Sequence, residues 1–234
     1  MTCQQVFGRQ GEDNDGYRAR LLSSTACLYF PISCSALSRH YLDPLLSRHV
    51  AKTKIEARWR PYSRLNYKEM TPSILSWLLD ASSLTQRLIA HCPGQFRVEV
   101  LDESWARPAP GEIRALGMKP AAIARIRQVR LLCNGVPWVF ARTVIPYKTL
   151  QGSVRRLKML GNRSLGEVLF ADNSMLRGEL EIAGITEGDY LYHTATQGLT
   201  KKCPVIWGRR SVFYLSGKPL LVNEIFLPDL AVEK

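Results

Sequence analysis

Val205-Ile-Trp-Gly-Arg-Arg-Ser-Val-Phe-Tyr-Leu-Ser-Gly-Lys-Pro-Leu-Leu-Val-Asn-Glu-Ile-Phe-Leu-Pro228 is the stretch whose reading decides the fold. Two apolar runs, rich in β-branched and aromatic residues, flank Ser216-Gly217-Lys218-Pro219, and Gly217 supplies the positive φ that a tight hairpin needs. Side chains alternate faces along a strand, so Leu220, Val222, Glu224 and Phe226 share one face. Leu221, Asn223, Ile225 and Leu227 make the other face nearly as apolar, so neither is plainly a solvent face. Glu224 is thus a carboxylate among apolar neighbours. Such a group must be paired, protonated or reserved for a ligand.

Working outward, Asn134-Gly135 is the strongest short hairpin signal in the chain, joining a strand over Ile123–Cys133 to one over Val136–Ile145. Phe96–Leu101 and Met175–Ile182 read as two more strands, which with the final pair makes six. Thr71-Pro72 predicts a helix start, followed by the stripe Ile74, Leu75, Leu78 and Leu79. Ser82 or Ser83 caps a second short helix through Leu84, Leu88 and Ile89, which Pro93-Gly94 stops. Helical pieces are also expected over Gly152–Leu160 and Ser164–Phe170. The Pro- and Gly-rich segment Trp105–Pro120 reads as a loop and Ala183–Pro204 as a long polar connection. Hairpin-paired strands with helices grouped early and mid-chain predict an α+β domain on an antiparallel sheet. Residues 1–66 lack sustained periodicity and read as a poorly ordered leader ahead of a domain spanning 67–234.

Strand parity puts Arg125, Arg127, Val129, Leu131 and Cys133 on one face. An arginine leading into an apolar face either snorkels to solvent or binds an anion, and the residues alone favour snorkelling for Arg127. A Ser164 cap would turn the backbone N–H groups around Leu165 and Gly166 toward an anion, although an ordinary capped surface helix is the plainer reading. Arg142, Arg209 and Arg210 are further arginines that could hold a carboxylate, with strand-edge positions as the bland alternative.

The chain carries 32 basic and 20 acidic residues, a formal net charge of +12. That balance suits anionic partners, but the excess is spread along the chain with no basic helix or Lys/Arg block, against nucleic-acid binding. Residues 21–37 faintly imitate a signal peptide, yet Ser and Pro interrupt them and an acidic cluster precedes them, and they are too short and polar to span a bilayer. The six cysteines include no C-x-x-C pair and read as reduced thiols of a cytosolic protein. Four scattered histidines give no zinc pattern. Signatures for dinucleotide binding, phosphate-binding loops, nucleophile elbows and zinc proteases are absent. What remains is an inward Glu, a possible inward Arg and two helix starts, a set suited to a small aromatic or cyclic acid.

Six runs in order carry a resemblance: Trp77-Leu-Leu-Asp-Ala-Ser-Ser-Leu-Thr-Gln-Arg87, Arg127-Gln-Val-Arg-Leu-Leu-Cys-Asn-Gly-Val-Pro-Trp138, Ala141-Arg-Thr-Val-Ile-Pro146, Leu165-Gly-Glu-Val-Leu-Phe170, Trp207-Gly-Arg-Arg-Ser211 and Leu215 to Pro228. Over residues 67–234 the chain resembles the chorismate pyruvate-lyases. The resemblance implies a six-stranded antiparallel α+β fold with helices covering an enclosed ligand site. It implies removal of pyruvate from chorismate to leave 4-hydroxybenzoate for ubiquinone biosynthesis, by a cytoplasmic, cofactor-independent monomer. It places the family's ligand-contacting residues on Arg127 and Glu224, and its two flap contacts on Leu84, where the family often has Met, and Leu165. The stretch 184–204 is longer than in compact members. The competing expectation is a small-molecule-sensing domain of the same fold, as in some transcription regulators. Those place a winged helix-turn-helix before the sensing domain, a pattern the leader does not show.

Overall fold

A computed structural model describes residues 55–64 and 70–230 of the 234-residue chain. Its centre is two hairpins side by side. β3 (Ala124–Cys133) turns into β4 (Val136–Pro146) at Asn134 (φ 50°) and Gly135 (φ 80°). β7 (Val205–Leu215) turns into β8 (Lys218–Phe226) at Ser216 (φ 47°) and Gly217 (φ 72°). Positive φ at both central residues matches the right-handed twist of the strands they join, which is why Asn-Gly and Ser-Gly serve here. β4 pairs with β8, β2 (Phe96–Ala106) lies outside β3, and β6 (Glu181–Thr186) lies outside β7.

The sheet among the described residues has eight strands in place of the expected six. The additions are β1 (Arg60–Pro61), which pairs with β6, and β5 (Leu176–Arg177), which pairs with β7. Two residues are too few to show an alternating pattern. The single strand expected over 175–182 is broken where the Gly178 N–H reaches the Val212 carbonyl at 2.7 Å, and β6 begins after that closure. The expected loop 105–120 holds the end of β2 and a short helix α3 (Pro110–Ala115), whose Pro sits at a position where a missing N–H costs nothing. The polar stretch 183–204 holds the end of β6 and helix α5 (Tyr190–Thr196), whose Leu191, Tyr192 and Ala195 are buried in one apolar cluster with Phe140, Ile206 and Ile225.

The boundary at residue 66 also moves. Residues 55–64, assigned to the leader on periodicity, join the sheet through β1, bury Ala57, and bring Glu56 to the backbone N–H of Gly111 at 2.8 Å. The rest of the expected leader, residues 1–54 and 65–66, lies outside the described residues.

Both faces of the sheet are covered, which accounts for the two apolar faces of β8. On the front, α1 (Pro72–Leu79) and α2 (Leu84–His91) pack Trp77, Leu78 and Leu88 with Val129, Leu131 and Phe226, while α4 (Leu165–Phe170) packs Leu169 with Phe213, Leu220 and Val222. On the back, α3 and α5 enclose a polar knot. Arg142 Nε and Nη2 donate to the two Glu112 oxygens at 2.8 and 3.0 Å, and Tyr190 and Asn223 also donate to Glu112. Burial pulls the Arg142 guanidinium down, but its bonds to Glu112 outweigh this and hold it above its usual value. Burial and the Glu112 charge push the Tyr190 phenol well up.

The cysteine expectation is corrected for one pair. Cys92, closing α2, and Cys133, closing β3, form a disulfide with Cα atoms 5.7 Å apart, while Cys203 is free. The two are 41 residues apart, so no local spacing announces the bond. Among the described residues, no helix is long and apolar enough to cross a membrane.

Candidate functional site

Two serine caps build the roof of the site. Ser83 accepts from the Gln86 N–H at 3.4 Å to start α2, and Ser164 accepts from the Glu167 N–H at 3.2 Å to start α4. The two first turns meet so closely that a Cβ on Gly166 would stand 2.9 Å from Thr85 Oγ1. Glycine is what lets these helix ends converge. Beneath them lies a cavity enclosing about 610 Å³ of space between atoms, part of it open to solvent. Leu84 and Leu165, each the first residue of its helix, line it from above. Both helix starts present the positive end of a peptide dipole.

The floor is the front of the sheet: Arg127 and Val129 on β3, Ala141 and Thr143 on β4, Val222 and Glu224 on β8, and Arg209 and Phe213 on β7. The four residues singled out in the sequence, Leu84, Arg127, Leu165 and Glu224, therefore line one cavity.

Arg127 does not snorkel. It is 2% exposed, and its Nη1 donates to Glu103 at 3.1 Å while Nη2 donates to the carbonyls of Gly161 at 2.7 Å and Arg163 at 3.2 Å. Those carbonyls belong to the loop that leads into α4, so one guanidinium ties the sheet to the roof. Burial holds Arg127 below its usual value against the opposing pull of Glu103. Glu103 is shared, since Arg125 Nε also donates to it at 2.9 Å.

Glu224 stands opposite Arg209 in the β7–β8 register, and Arg209 Nε donates to its Oε2 at 2.6 Å. Arg209 is 1% exposed and its Nη1 also donates to the carbonyls of Trp77 at 2.8 Å and Asp80 at 2.5 Å, at the C-terminal end of α1. Of the open alternatives for Glu224, pairing is the one realised. Its Oε1 accepts no hydrogen bond among the described residues.

Of the other arginines weighed from sequence, Arg209 alone lines the cavity. Arg142 is buried behind the sheet against Glu112, and Arg210 pairs with Glu181 at 2.7 Å and covers the Trp59 ring at 4.9 Å. Strand parity turns both away, because neighbouring residues on a strand take opposite faces. Sequence reasoning missed Arg177 of β5, which lines the cavity with Nε donating to Ser211 Oγ at 3.1 Å. No periodic signal marks a residue on so short a strand. Burial and the neighbouring Arg209 charge hold Arg177 below its usual value. No group of His, Cys, Asp and Glu able to hold a metal ion occurs among the described residues.

The chorismate lyase family model matches residues 54–233. A probable chorismate pyruvate-lyase of Pseudomonas aeruginosa is 40% identical over 161 residues, covering 69% of this chain and 86% of that protein. One from Coxiella burnetii is 38% identical over 175 residues, covering 75% and 94%. Among solved structures, the effector domain of PhnF from Mycobacterium smegmatis aligns with a TM-score of 0.45 at 14% identity, covering 64% of this chain and 91% of that one. The C-terminal domain of the histidine utilization repressor from Pseudomonas syringae aligns at 0.46 and 10% identity, covering 60% and 96%. The chain belongs to the chorismate lyase family.

Proposed function

We propose that this member of the family converts chorismate to 4-hydroxybenzoate and pyruvate, the entry reaction of ubiquinone biosynthesis, in the cytoplasm and as a monomer. The observation that carries the reading is that Arg127 and Glu224 line one cavity with β4 between their strands. Two strand spacings set the backbones about 10 Å apart sideways, and side chains reaching in from each leave the span of a para-substituted ring.

In this reading the ring carboxylate lies against Arg127, supported by backbone N–H groups at the starts of α2 and α4 beside Leu84 and Leu165. The ring hydroxyl meets Glu224, whose Oε1 is left for it while Arg209 holds Oε2. The ether bond between ring and enolpyruvyl group breaks, its electron pair leaving with the oxygen. The proton on the ring carbon that bears the hydroxyl is lost, so that the third ring double bond forms, and the methylene carbon gains a proton to give pyruvate. Aromatisation drives the step, so the protein's part is to position the substrate and stabilise the departing charge. As written, the reaction consumes no cofactor. Glu224 receives the ring proton or orients the hydroxyl while the proton passes to the leaving group.

The test is release of pyruvate and 4-hydroxybenzoate from chorismate by purified protein in the presence of a chelator, followed with a pyruvate-reducing coupling enzyme. Stoichiometric formation of both products is expected. Chorismate that persists while 4-hydroxybenzoate still binds would overturn the lyase reading and leave a sensing domain.

A further inference from the structure

The charges around the cavity do not cancel. At one margin Arg125 and Arg127 share the single carboxylate of Glu103. Toward the other, across β4 and β8, Arg209 is matched by Glu224, while Arg177 beyond it makes no ion pair among the described residues. Among the described residues its guanidinium hydrogen-bonds to neutral groups, Ser211 Oγ at 3.1 Å and the Ala81 carbonyl at 3.3 Å, while the Glu224 and Asp80 carboxylates attract it without forming an ion pair, and it lies 5.4 Å from the centre of the Phe213 ring. Nearby Asp80 is engaged by Arg87 at 3.0 Å. Each margin thus carries one guanidinium more than it has carboxylates. Two separated positive charges in a half-apolar cavity suit a ligand with two separated carboxylates.

We infer that Arg177 is a substrate-binding residue that receives the second carboxylate, the one on the departing enolpyruvyl group, and so distinguishes substrate from aromatic product. The inference rests on the lyase reading of the same cavity. Its geometry follows from the strand order β3, β4, β8, β7, β5, which places Arg127 and Arg177 on opposite sides of Glu224. A ring carboxylate at Arg127 and a hydroxyl at Glu224 direct the substituent next to the hydroxyl toward Arg177. Arg209 is already committed to Glu224 and to the end of α1, so Arg177 is the guanidinium left for a new anion. 4-Hydroxybenzoate carries one carboxylate and has nothing to offer it.

The experiment compares Arg177→Met and Arg177→Lys with the unaltered chain, measuring KM and kcat for chorismate and, by calorimetry, the affinity for 4-hydroxybenzoate. For Arg177→Met, KM should rise roughly tenfold to hundredfold, the scale of losing one hydrogen bond to a charged group. Product affinity should stay within about threefold, and Arg177→Lys should recover part of the KM. Unchanged KM, or equal losses for substrate and product, overturns the inference. If Arg177→Met does not fold, the unaltered chain decides: a 4-hydroxybenzoate bearing a carboxymethoxy group beside its hydroxyl should bind more tightly than 4-hydroxybenzoate, and weaker binding overturns the assignment. Failure of the unaltered chain to turn over chorismate instead strikes the lyase reading itself, which separates the two.

Discussion

Arg209 and Glu224 face each other across β7 and β8 in the cavity floor, joined at 2.6 Å, and the same arginine caps the end of α1. The carboxylate at the centre of the site is therefore fixed by a residue that also fixes a helix. Glu224→Gln keeps the shape and can still accept a hydrogen bond from Arg209, but it cannot accept a proton. If Glu224 takes the ring proton, turnover should fall by about 10²- to 10⁴-fold with 4-hydroxybenzoate affinity changed far less, read from steady-state kinetics beside calorimetry. A modest loss in turnover matched by the loss in affinity would assign Glu224 to orienting the hydroxyl alone.

On the proposed reading the contact of Arg127 with the ring carboxylate is made in the ground state and the transition state alike, so Arg127→Ala should lower product affinity and kcat/KM together. The loss should be on the order of 2–4 kcal/mol, as for one partner of a buried charge pair. Because Arg127 also holds the Gly161 and Arg163 carbonyls, the loop before α4 should become more accessible, seen as faster amide exchange over residues 161–166. Unchanged exchange there would mean the roof does not depend on this arginine.

Gly166→Ala tests the convergence of the two roof helices. The added Cβ would press on Thr85 Oγ1, forcing the starts of α2 and α4 apart. Affinity for 4-hydroxybenzoate should fall at least fivefold, while the thermal midpoint moves by only a few degrees, the effect of about 1 kcal/mol. Thr85→Ala should restore much of the binding in the double variant, and strict additivity would show that the two turns do not press on each other.

Reduction of Cys92–Cys133 should destabilise the chain. A loop of 41 residues corresponds to about 4 kcal/mol on the chain-entropy view, or roughly 10 °C in thermal midpoint. Scanning calorimetry with and without reductant, beside a Cys133→Ser variant, measures it. A midpoint indifferent to both would mean the bond contributes nothing to stability.

A chain beginning at residue 67 should lose stability relative to one beginning at residue 54, because it lacks β1, the buried Ala57 and the Glu56 contact to α3. Equal thermal midpoints would show that residues 54–66 add nothing to the domain.

What the sequence made legible was local. Asn134-Gly135, Ser216-Gly217 and the caps Thr71, Ser83 and Ser164 each express their structure within four residues, and each adopts the expected form. Glu224 stood out because one parity rule placed it among apolar neighbours. Its partner did not, since choosing Arg209 over Arg210 requires the β7–β8 register, a relation between residues 15 apart in sequence. Arg127 was harder still. Its burial depends on carbonyls 34 and 36 residues downstream, which turn a group that would otherwise reach for water into a tie between sheet and roof. Arg177 and the disulfide were invisible for the same reason, being set by what packs beside them.

The disulfide also changes the topology of the polypeptide. Every peptide bond between Cys92 and Cys133 lies inside a closed covalent ring that includes all of β2, α3 and β3. A single protease nick in the connection between α3 and β3 would leave both fragments joined, migrating as one species until a reductant is added. The ring closes directly behind α2, so the helix that starts over the cavity is anchored at its far end to the strand that bears Arg127.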